Sequence, residues 1–124
     1  MRWSARKSII NDIARPPFFH EREIWFCHLG ANVGFEEDGK GDDFMRPILI
    51  FRKFSCDVLW GIPLTKTGKE KSYYFRFSFM RNVESVAILS QIRLIDSRRL
   101  ARKVGFISNQ DLLRLKEKFK ALLP

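Results

Sequence analysis

The sequence predicts a mainly β domain: a small, strongly curved antiparallel barrel closed off by one C-terminal helix, preceded by a short helical arm. Three observations carry this fold class. Some six short runs of β-forming residues follow one another, glycines and prolines punctuate them, and a single amphipathic segment ends the chain. A chain of 124 residues suits one domain with one ordinary core. The expected boundaries are 1–21 for the arm and 22–124 for the barrel.

Taken in order, residues 4–14 carry Ile9, Ile10 and Ile13 at helical spacing, and Pro16-Pro17 forbids continuation. From Glu23 the texture changes to Ile24-Trp25-Phe26-Cys27-His28-Leu29, a strand closed by Gly30. Pro47 to Lys53 and Val58 to Leu64 are two further strands with a tight connection near Ser55-Cys56-Asp57, which pairs them as an antiparallel hairpin. Thr65 to Lys71 is polar and aperiodic, hence a basic loop. Tyr73, Phe75, Phe77 and Phe79 then alternate with Tyr74, Arg76, Ser78 and Met80, the period of a half-buried strand with its aromatics in the core. Ser85 to Leu89 forms another strand, which Ser90 to Asp96 is expected to continue. A turn at Ser97 to Leu100 leads to a last strand, Ala101 to Ile107, with Gly105 as a bend or bulge. Ser108 with Asp111 reads as an N-cap and first-turn acid, and the helix beyond them puts Leu112, Leu115, Phe119 and Leu122 on one stripe.

The charge balance narrows the partners. There are 23 Lys and Arg against 14 Asp and Glu, a net +9, which favours an acidic partner such as nucleic acid, an acidic protein segment or an anionic surface. No run approaches the ~18 apolar residues that a membrane span needs, and Met1-Arg2-Trp3-Ser4 lacks the apolar core of a secretory signal. A cytoplasmic protein without a membrane partner is the expectation. Cys27 and Cys56 are too few for a disulfide framework and are expected as reduced thiols.

One stretch stands apart from this regular pattern. Residues 34–47 form a loop of glycines and acids that runs into the second strand and ends on Arg46-Pro47. Proline pushes its neighbour out of the α region, so the Arg46 guanidinium is presented at the lip of a strand. The acids Glu36, Glu37, Asp38, Asp42 and Asp43 do not have the spacing of a calcium loop and have no His or Cys ligand nearby, so no metal or other cofactor is expected. A flap beside the site is the reading for this loop.

Four pieces in this order, Arg22-Glu23-Ile24-Trp25, Gly34-Phe35-Glu36-Glu37 with Arg46-Pro47-Ile48-Leu49-Ile50, Ile62-Pro63-Leu64-Thr65, and Ser90-Gln91-Ile92-Arg93-Leu94-Ile95-Asp96, resemble the PemK/MazF-like toxins of bacterial toxin–antitoxin systems. The resemblance covers roughly Arg22 to Leu122. It implies an SH3-like barrel, a homodimer, a cognate antitoxin, and metal-independent, sequence-selective cleavage of single-stranded RNA to a 2′,3′-cyclic phosphate and a 5′-hydroxyl. It assigns Arg46 to the stabilisation of the transition state and Thr65 to a hydrogen bond with the scissile phosphate.

Such cleavage uses the substrate's own 2′-hydroxyl as nucleophile, so the protein must align the strand, move protons and stabilise charge on phosphate oxygens. An arginine fork suits the last task. Lys66, Lys69 and Lys71 follow Thr65 and form a phosphate-guiding patch, Gln91 and Arg93 are further candidates for holding RNA, and His28 is a candidate proton carrier. Arg93, Arg98, Arg99, Arg102 and Lys103 make a second basic cluster that strand alternation forbids from facing one groove together. Cys27-His28 is no dyad for the same reason. The chain departs from the family where some members hold a proton-transfer pair, at Ile88 and Ser90, and where some hold a histidine, at Phe35. Two other readings stay open: a non-catalytic RNA-binding barrel of the same descent, and a protein-targeting toxin of the gyrase-inhibiting type.

Overall fold

The computed structural model describes residues 17–29, 45–66, 68 and 70–124. The expected arm helix at 4–14, the acidic loop and Lys69 lie outside the described residues. Seven strands and one helix follow: β1 (Glu23–His28), β2 (Met45–Lys53), β3 (Val58–Thr65), β4 (Tyr74–Phe79), β5 (Val83–Ile88), β6 (Arg93–Asp96), β7 (Leu100–Phe106) and α1 (Asn109–Lys120). All pairings are antiparallel, in the order β4-β5-β3-β2-β1-β7, with β6 also on β3. Among the described residues no ladder joins β4 to β7, so the barrel is not closed by hydrogen bonds. Side chains close the gap instead: Phe79 and Met80 pack over Gly105, where an added Cβ would stand 2.8 Å from Phe79 Cδ2.

Alternation gives the sheet two apolar faces. Ile24, Leu49, Ile62, Leu64, Phe77 and Phe79 form the interior with Leu115 of α1, and Leu112, Phe119 and Leu122 pack against it. The helix stripe therefore docks as its spacing requires, and the Ser108 hydroxyl caps the helix by accepting from Asp111 N at 3.0 Å. On the opposite face Trp25, Cys27, Ile48, Ile50, Leu59 and Ile95 form a second buried cluster, covered in part by Phe19. Residues 17–21, the end of the expected arm, are thus seated on the sheet. Lys53 Nζ donates to Phe19 O at 2.9 Å, and Glu21 accepts from Lys53 N at 2.8 Å.

The expected strand over Ser90 to Asp96 differs from what forms. A 3₁₀ turn, Leu89–Gln91, interrupts it, and β6 begins at Arg93. β5 pairs with β3 at Val86↔Thr65, and β6 pairs with the same edge of β3 at Arg93↔Gly61. The register between these two pairs slips by three residues, the length of the turn. Gly61 explains why β6 sits so close: an added Cβ there would stand 2.7 Å from Ile95 Cδ1 and 2.8 Å from Ile48 Cδ1. Gly105 plays its expected part, because β1 and β7 shift register between Ile24↔Gly105 and Trp25↔Lys103.

Candidate active site

The site is built from strand ends on the face turned away from the helix. In β2, Ile48 and Ile50 lie in the second cluster, and Arg46, two residues before Ile48, points the same way. In β3, Gly61 faces Ile48 and Ile95, so Thr65 shares its side of the strand. In β6, Ile95 is in the cluster and Arg93 is two residues before it. The β2–β3 register runs to Ile48↔Pro63, and two residues further along each strand stand Arg46 and Thr65. Adjacent strands lie about 4.8 Å apart, so these side chains open on one space. Both are half-buried, and among the described residues the Thr65 hydroxyl makes no hydrogen bond.

Cys27 is the floor between the cations. It pairs with Arg46 of β2 on one side and with Leu100 of β7 on the other. Burial pushes its thiol up to about 12, against the opposing pull of the Arg99 and Arg93 charges. The thiol is therefore neutral at neutral pH and is neither nucleophile nor counter-ion. Arg99 is anchored by Nη1 donating to His28 O at 3.1 Å. Arg93, Arg99 and Lys66 make no ion pair among the described residues.

The other sequence candidates fall around this core. Gln91 and Ser90 are exposed on the 3₁₀ turn that fills the stretch of the β3 edge between Gly61 and Leu64, next to Thr65. Lys66 is exposed directly beyond Thr65, and Lys71 is exposed at the turn into β4, where Lys71 O accepts from Tyr74 N. His28 lies on the other side of β1 from Cys27 and Arg46, paired with Met45, and only its carbonyl meets this cluster. Ile88 is buried and Ser90 is an alcohol, so neither is poised for proton transfer. Arg99 was lost among five basic residues; its signal was the Asp96-x-Arg98 spacing, which ties up one arginine of an adjacent pair and leaves the other.

Comparison with known proteins places the chain in a family. The family model described as a PemK-like, MazF-like toxin of type II toxin–antitoxin systems matches residues 20–123. The chain belongs to that family. No curated protein matches it. Among solved structures it is similar to the Mycobacterium tuberculosis toxin MazF-mt6, at 19% identity over 81% of this chain and 94% of that one, with a TM-score of 0.63. It is also similar to a mycobacterial endoribonuclease solved in complex with its cognate antitoxin, at 13% identity over 86% and 98%, TM-score 0.65. MazF from Deinococcus radiodurans matches at 17% identity over 86% and 96%, TM-score 0.64. At such identities these structures establish a shared MazF-like fold. No helix of the described residues is long and apolar enough to cross a membrane.

Proposed function

We propose that this MazF-like toxin is an endoribonuclease that cleaves single-stranded RNA at the Arg46–Thr65 end of β2 and β3. The observation that carries the reading is the common face of Arg46, Thr65 and Arg93, with Lys66 just beyond them and no carboxylate paired to Arg93 or Lys66 among the described residues. The Thr65 hydroxyl, without a protein hydrogen-bond partner there, is available to the scissile phosphate. Arg46 stabilises the charge that builds on its non-bridging oxygens as the substrate's 2′-hydroxyl attacks, and a fixed guanidinium in a partly desolvated site is worth about 10²–10³ in rate. The 2′-hydroxyl gives its proton to solvent water as it attacks, the bond from the phosphorus to the 5′-oxygen breaks, and that oxygen takes a proton from water, leaving a 2′,3′-cyclic phosphate and a 5′-hydroxyl. This scheme needs no metal, because the nucleophile belongs to the RNA and the positive charge to Arg46. Ile88 and Ser90, where some family members hold a proton-transfer pair, supply none of the contribution of about 10²–10⁴ that general acid–base catalysis gives, so this chain turns over slowly or moves its protons through other groups.

Lys66, Lys69 and Lys71 guide the phosphates entering past Thr65, while Gln91 and Arg93 hold the strand. His28, by its side of β1, is left outside the cleavage step. Two copies of the chain form the working unit, and a cognate antitoxin with an acidic segment occupies the cationic end, as partners of a +9 protein do. A mycobacterial endoribonuclease of similar fold, solved in complex with its cognate antitoxin, supports the antitoxin as a partner.

The test is incubation of the purified protein with a long RNA in excess EDTA, beside Arg46→Ala and Thr65→Ala, with 5′ ends mapped by primer extension. Discrete cleavage that both variants lose is the expected result. A folded parent that binds RNA without cutting it moves the protein to the non-catalytic RNA-binding barrel, and loss of gyrase supercoiling instead moves it to the protein-targeting type.

A further inference from the structure

The 3₁₀ turn Ser97–Arg99 carries two adjacent arginines with opposite fates. Arg98 is consumed by Asp96: its Nε donates to Oδ1 at 3.0 Å and its Nη2 to Oδ2 at 2.7 Å, a bidentate pair. The same carboxylate also accepts from Arg98 N at 2.9 Å. Arg99 has no carboxylate among the described residues, and one of its donors is spent on His28 O at the end of β1. A guanidinium has five donors, and a single carbonyl leaves the charge uncompensated.

Its place makes that charge useful. β1 lies between β2 and β7, and Cys27 pairs with Arg46 on one side and with Leu100, the residue after Arg99, on the other. Arg46 and Leu100 thus stand two strand spacings apart, about 10 Å. Cys27 lies between them, and its buried thiol feels the Arg99 charge more than that of Arg93. The bond to His28 O fixes the guanidinium to the end of the strand that also carries Cys27, so little side-chain freedom remains to be lost when an anion binds.

We propose that Arg99 forms a second anion subsite on the β7 side of Arg46, which takes a phosphodiester of the RNA flanking the scissile one. This rests on the ribonuclease reading above. Arg99 acts as a positioning residue: it holds the RNA beside the scissile linkage, equally in the ground and transition states, and does not touch the reacting atoms. The sequence alone hides it, because Arg98 and Arg99 are equivalent until the turn hands one of them to Asp96.

The test uses an RNA oligonucleotide carrying one cleavage site mapped by primer extension, and the same oligonucleotide with a 2′-deoxy residue at that site for equilibrium binding. Arg99→Gln is expected to weaken binding and raise KM about tenfold with kcat unchanged. It should also reduce the steepness of log Kd against log salt by about 0.7, the value of one lost phosphate contact on a single strand. Arg99→Lys, which keeps the charge, retains the parent's salt slope, and Arg98→Gln leaves binding and cleavage as they are. A methylphosphonate, placed in turn at the linkages on either side of the scissile one, weakens the parent at one of them and leaves Arg99→Gln indifferent there. Circular dichroism checks that each variant is folded. An Arg99→Gln variant with the parent's affinity and salt slope, or one that loses kcat at constant KM, overturns the subsite while leaving the ribonuclease reading standing. A parent that neither cuts nor binds RNA overturns both.

Discussion

The two ends of the β1–β2 pair use their cations in opposite ways. At the Glu23 end one carboxylate collects Trp25 Nε1 at 2.9 Å, His20 N at 3.0 Å, His20 Nδ1 at 3.1 Å and Lys103 Nζ at 3.2 Å. Arg22 there donates Nε to Ile107 O and stacks its guanidinium over Phe106, while Lys53 is tied to Phe19 O. These contacts fasten residues 17–22 and the start of α1 to the sheet. At the other end Arg93, Arg99 and Lys66 share the neighbourhood of Arg46 and Thr65 without an ion pair among the described residues. At the Glu23 end a carboxylate is paired with Lys103, whereas at the other end Arg93, Arg99 and Lys66 have no carboxylate among the described residues, which suits a surface that takes up an anion.

The sharpest way to break that contrast is to exchange the expected losses. Glu23→Ala should cost about 2 kcal/mol of stability, because it strands the Trp25 N–H and loosens the 17–22 segment, yet leave RNA cleavage intact at low temperature. The double variant Arg93→Gln/Arg99→Gln should change stability by less than about 0.5 kcal/mol and lose RNA affinity. Urea titration and RNA binding on both proteins check this; equal stability losses would end the distinction between the two ends.

Gly61→Ala tests how far the second cluster supports the site. Its methyl must displace the buried side chains of Ile48 and Ile95, two residues from Arg46 and from Arg93 respectively, at a cost of about 1–3 kcal/mol. Thermal melting should show that loss, together with a drop in cleavage larger than Glu23→Ala produces.

The acid limb of stability should come mainly from the compensated pairs. Burial alone would raise the Glu23 carboxyl, but hydrogen bonds from Trp25, His20 and Lys103 outweigh it and hold the group below its ordinary value of 4.5. Hydrogen bonds from Arg98 hold Asp96 at about 2, from an ordinary 3.8. Below those ordinary values the unfolded chain binds more protons than the native one, so both contributions are present above about pH 4.5 and are lost as pH falls towards 2. The Asp96 side chain is half-exposed, so solvent screening leaves its share small. In denaturant melts against pH, Glu23→Gln should flatten this limb more than Asp96→Asn.

The smallest effect is chemical. At pH 8 iodoacetamide should modify the exposed Cys56 and spare the buried Cys27 in the native protein, with both modified after unfolding, as read by mass. Rapid native labelling of Cys27 would mean that the surrounding guanidiniums win over burial.

Much of this was legible in the chain itself. The strand runs other than Ser90 to Asp96, the aromatic alternation over Phe75, Phe77 and Phe79, the Ser108 cap, the helix stripe and the bulge at Gly105 are set by local periodicity and backbone preference, and each stands where the pattern put it. Arg46 stood out by its place before Pro47 at the lip of a strand, whereas Thr65 was singled out only by the resemblance of its Ile62-Pro63-Leu64-Thr65 setting to the family. What only the tertiary structure decided is non-local. The 3₁₀ turn that interrupts β5 and β6, the placing of Arg93 on the same face as Arg46, the exclusion of the His28 side chain and the division of labour between Arg98 and Arg99 all depend on which strands become neighbours and in what register. A one-residue slip in register turns every side chain to the other face, and pairing between distant strands leaves no short-range mark in sequence.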